Sequence, residues 1–174
     1  STPFTCSGNS SPKKTDYPTY MAPDGENFRG INAAKLFSQQ KKYTMDDAIK
    51  LGYNSYMSAF ELLIPALLND FKKISRTDSI YNSLKEPIQL LEHWDYYSNE
   101  NSIPTTFAIE WGERLLPLIA QTKITDPYSL NTVEKMQVFL AAVPKQELCA
   151  AMFTTITDLQ KRFGTWKDFQ ETSI

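Results

Sequence analysis

Apolar residues recur along most of this chain at spacings of three and four, the period that aligns side chains on one face of a helix. In "SYMSAFELLIPALLNDFKK" the series is Met57, Phe60, Ile64, Leu67 and Phe71; in "SIPTTFAIEWGERLLPLIAQ" it is Phe107, Trp111, Leu115 and Leu118. "PKQELCAAMFTTITDLQKRFG" places Leu148, Met152, Ile156, Leu159 and Phe163 on one stripe, and a weaker series runs through Phe28, Ile31 and either Lys35 or Leu36. The two-residue alternation of a half-buried strand never persists for more than a few positions. The pattern predicts helices near 25–40, 45–52, 55–72, 86–96, 105–121, 129–141 and 145–163. That is an all-α fold: an irregular multi-helix domain of six or seven helices without an internal repeat.

Boundary signals refine the elements. Asp24 is placed to cap the first helix, and Thr44 with Asp47 forms a capping box for the second, which Gly52 ends. Pro65 lies inside the third apolar series and is expected to kink that helix or split it. Pro87 suits the first turn of the helix through Trp94, Pro117 comes near the end of the next one, Pro144 opens the last, and Gly164 stops it. Gly30 weakens the first helix by about 1 kcal/mol relative to alanine and marks a point where another group approaches closely. Residues 1–23, rich in Ser, Thr, Pro, Asn and Tyr, read as an extended arm. The expected organisation is one helical domain over 1–174: the arm, helices over 24–164 and a tail over 165–174.

Composition narrows the chemistry. With 174 residues, 41% hydrophobic and 22% charged, the chain is ordinary globular material, and folding should bury roughly 70% of its surface. A net charge of −2 supplies no basic field for nucleic acid or an anionic membrane, so neither is expected as a partner. No apolar run reaches the ~20 residues that span a bilayer. Cys6 and Cys149 do not make a disulfide framework, and Cys149, beside an apolar stripe, reads as a buried small hydrophobe. His93 is the only histidine, so no metal cluster can be assembled around it. Glu110 and Glu113 share a helix face, where an exposed surface explains them as well as paired carboxylates do. Trp94, Trp111 and Trp166 are core candidates first. Without a phosphate loop or a Ser/His/Asp set, the residues alone describe a binding module.

An ordered set of stretches alters that reading. "STPF", "YPTYMAPDGENFRGINAAKLF", "FELLIPALL", then "HWD" and "TTFAIEWGERL" resemble, in this order, the penicillin acylase-type amidohydrolases, a family of N-terminal nucleophile (Ntn) hydrolases. The resemblance runs from Ser1 to about Trp166. It bears on Ser1, which could be a self-exposed nucleophile with its own amine as base, or simply where a cut fell. "STPF" resembles the segment just after the family's oxyanion asparagine, which implies that Ser1 is a fragment terminus. The chain would then be the helical part of the β chain, a fragment of a larger αββα hydrolase that lacks the nucleophile and is inactive alone. The resemblance implies hydrolysis of linear amides by the parent, including the kind that degrades antibiotics, and periplasmic or secreted location.

One family site residue is carried over: Arg29, in "NFRGIN", as an auxiliary catalytic residue facing the active site of the parent. No cofactor is implied for the fragment. Calcium is implied for some full-length members, but Met21 stands nearest their ligand position after Tyr17-Pro18, with Asp24 reached only by a shift, so this fragment is not expected to bind it. The implied partners are the remainder of the acylase and, in the parent, a small amide substrate. An apolar face exposed around the arm and the first helix would favour self-association. The competing reading is a free-standing α-helical interaction domain without catalytic activity.

Overall fold

A computed structural model describes residues 8–21, 25–39, 42–124 and 131–167. Within them the chain forms α1 (Phe28–Phe37), α2 (Met45–Gly52), α3 (Phe60–Phe71), α4 (Ser79–Glu92), α5 (Ile103–Gln121), α6 (Thr132–Ala142) and α7 (Glu147–Phe163). The described residues contain no strand. A single antiparallel bridge joins Tyr56 to Tyr97. The fold is all-α, as the apolar period requires.

α7 packs against α3, α4 and α5, while α6 lies against α5 and α3. The stripes read from sequence meet there: Ile64, Leu67, Phe107, Trp111, Leu115 and Met152 are all wholly buried. Each such side chain contributes about 1.5–3 kcal/mol by leaving water. The Trp111 indole N–H donates to the Leu148 carbonyl at 3.2 Å, so the largest core residue carries no unsatisfied polar atom. On α5 the core stripe ends at Ile119, 5% exposed, rather than at Leu118, 42% exposed. Steps of four from Phe107 stay on the face covered by α6 and α7; a final step of three leaves it.

Several boundaries differ from expectation. α3 begins at Phe60, not at 55, because Met57 N–H donates to the Tyr96 carbonyl (2.9 Å) and Ser98 N–H to the Ser55 carbonyl (3.1 Å). Those bonds hold the segment extended. Pro65 does not split α3, which continues to Phe71 with Pro65 on its exposed side. α4 begins at Ser79, where the Asp78 carboxylate accepts the Ile80 N–H at 3.0 Å. Pro87 is therefore a buried interior residue and not a first-turn one. The stripe Ile80, Leu84, Ile88 and Leu91 outweighs the one backbone bond that Pro87 removes.

Other ends follow their local chemistry. α2 carries the expected capping box of Thr44 and Asp47, and α6 is capped by Asn131, whose side chain accepts the Glu134 N–H at 3.0 Å. Gly164 closes α7 in the left-handed conformation at φ 73°. α1 is shorter than predicted and capped by Asn27; Asp24 lies outside the described residues. The described part of the arm is not fully extended, since Gly8–Ser10, Lys14–Asp16 and Thr19–Met21 form single 3₁₀ turns. Of the tail, Trp166 packs edge-on against Phe107 with ring centroids 5.5 Å apart.

Candidate functional site

α1 carries Arg29 and is fixed to the helical core by polar bonds, because its own face is poorly buried. The Asn27 side chain accepts the Gly30 N–H at 2.8 Å and sets the start of the helix. The hydroxyl of Ser58, itself buried, donates to the Phe28 carbonyl at 2.8 Å. Asn32 donates to the Asn54 side chain at 3.1 Å, and the same Asn54 oxygen accepts the Tyr56 N–H. One turn further on, Lys35 Nζ lies 2.6 Å from Glu61 Oε1 and 5.1 Å from the centre of the Tyr56 ring. Tyr56 donates its hydroxyl to the same Glu61 oxygen.

Just before α1, the backbone passes so close to α6 that a Cβ on Gly25 would fall 2.1 Å from Asn131 Cα. Only glycine permits that approach. Thr132 Oγ1 adds a bond to the Glu26 carbonyl at 3.3 Å. α1 is thus tied to α3 on one side and to α6 on the other.

The charges of this latch are fixed by its geometry. The hydrogen bond from Lys35, then that from Tyr56, holds the Glu61 carboxyl below the usual carboxylate range. Burial first, and the hydrogen bond to Glu61 second, pushes the Tyr56 phenol well above its ordinary value. Burial, with the Glu61 charge behind it, also raises Tyr96. At neutral pH Glu61 is an acceptor for a cation and a neutral phenol. Tyr56 donates to Glu61, and Tyr96 packs edge-on against Tyr56 and Trp94.

Between α1, α5 and α6 lies an open cleft of about 700 Å³. Phe28, Ala59, Leu116, Ile119, Ala120 and Met136 form its apolar surface, and Asn27, Arg29, Thr132 and Lys135 its polar part. A second hollow of about 180 Å³ shares Ala59, Leu116, Ile119 and Met136 with it and is also lined by Phe60 and Gly112. Among the described residues, neither the Arg29 guanidinium nor the Lys135 ammonium has an ion-pair or hydrogen-bond partner.

Arg29 is exposed and lines this cleft. The other candidates do not join it. Glu110 pairs with Arg162 at 3.2 Å, which leaves Glu113 alone at the hollow and no carboxylate pair. His93 Nδ1 bonds the Gln89 carbonyl at 2.8 Å at the end of α4. Trp94 and Trp111 are core residues. Cys149 is wholly buried, and its thiol is pushed up to about 12, chiefly by burial and then by nearby Asp70. That is the inert cysteine of the apolar stripe. Ser1 and Cys6 lie outside the described residues.

The described residues contain no group of three potential metal ligands. Met21 is 58% exposed, and Asp24, the other residue considered at the calcium position, lies outside the described residues. Sequence reasoning missed Tyr56, Glu61, Lys135 and Gly112. The one signal was Lys35, a cation at an apolar position of the α1 stripe, which indicates a buried or partly buried acid opposite it.

Among families of known proteins, penicillin amidase matches the chain over residues 1–174. No curated protein and no solved structure matches it.

Proposed function

The chain belongs to the penicillin amidase family, and from that premise we propose that it is the helical part of an amidohydrolase acting on linear amides. The reaction proceeds through an acyl-enzyme on an N-terminal serine supplied by the remainder of the protein. The observation that carries this reading is a family match over all of residues 1–174. The remainder is then the chain's partner, and it brings the nucleophile and the oxyanion donors, each of the latter worth roughly 10²–10³ in rate. Alone, the helical part does not hydrolyse amides.

Arg29 is the residue of this chain that serves the reaction. Its charge is permanent, it lines the cleft beside α1, and its guanidinium is uncommitted within the described structure. The latch of Lys35, Glu61 and Tyr56 holds the helix that presents it. In the assembled enzyme Arg29 orients hydrogen bonds around the nucleophile or an anionic group of the substrate. Location in the periplasm or outside the cell accompanies this reading.

The test is to follow the reading frame upstream of Ser1, express the extended protein, and assay release of amine from phenylacetyl and aliphatic anilides. Turnover by the extended protein, with residues 1–174 inert on their own, is expected. A frame that opens near Ser1, with no turnover, would leave an interaction domain. A serine-directed acylating probe that labels Ser1 of the short chain would reverse the assignment of the nucleophile.

A further inference from the structure

The cleft and the hollow adjoining it share four apolar residues. The hollow is almost wholly apolar; Glu113 is the one acid among the residues of either space. Arg29 from α1 and Lys135 from α6 both line the cleft, and neither charge is neutralised by a protein partner within the described structure. Ordinary surface cations sit in open water. These two border a surface made by Leu116, Ile119 and Met136, where an anion with an apolar body gains both contacts at once.

Gly112 borders the smaller hollow. A Cβ there would lie 3.3 Å from the Phe60 ring, and a larger side chain would project into the volume that Phe60, Leu63 and Met136 surround.

We propose that this site binds a small carboxylate bearing an unbranched apolar chain, its head at Arg29 and Lys135 and its chain running over Leu116 towards Gly112. This deepens the amidohydrolase reading at the cleft that holds Arg29 and rests on it; failure of the two is told apart because one is read by binding to this chain and the other by turnover of the extended protein.

Charge sets the selectivity and the hollow sets the length. Two cation–carboxylate contacts at a partly exposed rim are together worth roughly tenfold in affinity. Chain carbons buried against the apolar wall add to that with each step.

The experiment is a titration of the isotopically labelled chain with octanoate, octanol, octylammonium and butanoate, followed by amide chemical shifts. Octanoate should bind more tightly than octanol by about tenfold and than butanoate by more, moving the resonances of Arg29, Gly112 and Lys135. Octylammonium should not compete. Salt at about 0.5 M should shrink the margin over octanol. The double substitution Arg29→Ala, Lys135→Ala should erase that margin with helicity unchanged, and Gly112→Val should weaken octanoate more than butanoate. Octanol binding as tightly as octanoate, or an affinity for octanoate untouched by the double substitution, would overturn the proposal. The chain-length comparison needs no variant, so a poorly folding Gly112→Val leaves the test intact.

Discussion

Asp70 offers a measurable consequence of how this fold is assembled. α7 is preceded by Gln146, whose own side chain makes no cap and whose backbone is left-handed at φ 66°. The cap comes instead from the end of α3: Asp70 Oδ1 accepts the Gln146 N–H at 2.8 Å, and Oδ2 lies 3.5 Å from the Cys149 nitrogen. Asp70 is only 5% exposed, so water cannot replace it. A hydrogen bond to a charged acceptor contributes about 1.5–3 kcal/mol, and a negative charge at a helix start about 0.3–1 kcal/mol. The 3.5 Å contact adds little. Asp70→Ala should therefore cost about 2–4 kcal/mol, which for a chain of this size lowers Tm by roughly 5–15 °C. Asp70→Asn keeps an acceptor in place and should cost less than half as much. Urea denaturation gives the free energies, and amide exchange at 146–149 locates the loss. A change below about 0.5 kcal/mol for Asp70→Ala, or exchange altered everywhere but the start of α7, would refute the shared cap.

Three further substitutions test other joints. Gln146→Gly removes the cost of a left-handed side-chain-bearing residue while keeping the N–H that Asp70 accepts, so it should stabilise by about 0.5–1 kcal/mol, read by thermal melting. Gly25→Ala drives a methyl group into the Asn131 backbone and should cost about 1–3 kcal/mol, with α6 amides the first to lose protection in exchange. Glu61→Gln should cost under about 1 kcal/mol at neutral pH, since the pair with Lys35 is half exposed. Because the folded-state pKa of Glu61 is lowered, its contribution is complete above the ordinary glutamate value of about 4.3 and fades as pH falls through the folded value. Stability curves of wild type and Glu61→Gln should converge in acid; a constant gap would remove the carboxylate from the latch.

The helices that form the core were legible because burial imposes a period. Ile64, Leu67, Trp111, Leu115 and Met152 each fall where steps of three and four place them. Local caps were legible too when donor and acceptor are three residues apart, as with Thr44 and Asp47. Pro87 misled the reading of α4: taken as a start signal, it concealed the cap at Asp78 and the two turns before it, which Ile80 and Leu84 bury. The start of α3 was hidden for a different reason, since the bridge that holds Tyr56 extended is made with Tyr97, far along the chain. Nothing near α7 reveals that Asp70 caps it.

Arg29 was singled out only through the family resemblance, and the residues that share its cleft were not. Its setting is tertiary. Lys35 and Glu61 meet across 26 residues, and Lys135 reaches the cleft from α6. A short local window does not contain such pairs. Leu116 in the cleft wall is 56% exposed and Phe37 at the end of α1 is 58% exposed.

The most direct measurement of the account is the kcat of the extended protein on an anilide substrate, wild type against Arg29→Ala. If α1 presents Arg29 to the reacting centre, losing its hydrogen bonds should lower kcat by about tenfold or more. Melting of the same variant should stay within about 0.5 kcal/mol of wild type, because Arg29 is exposed and its side chain makes no bond within the described structure. Unchanged kcat in Arg29→Ala would contradict the account and return Arg29 to the ordinary surface.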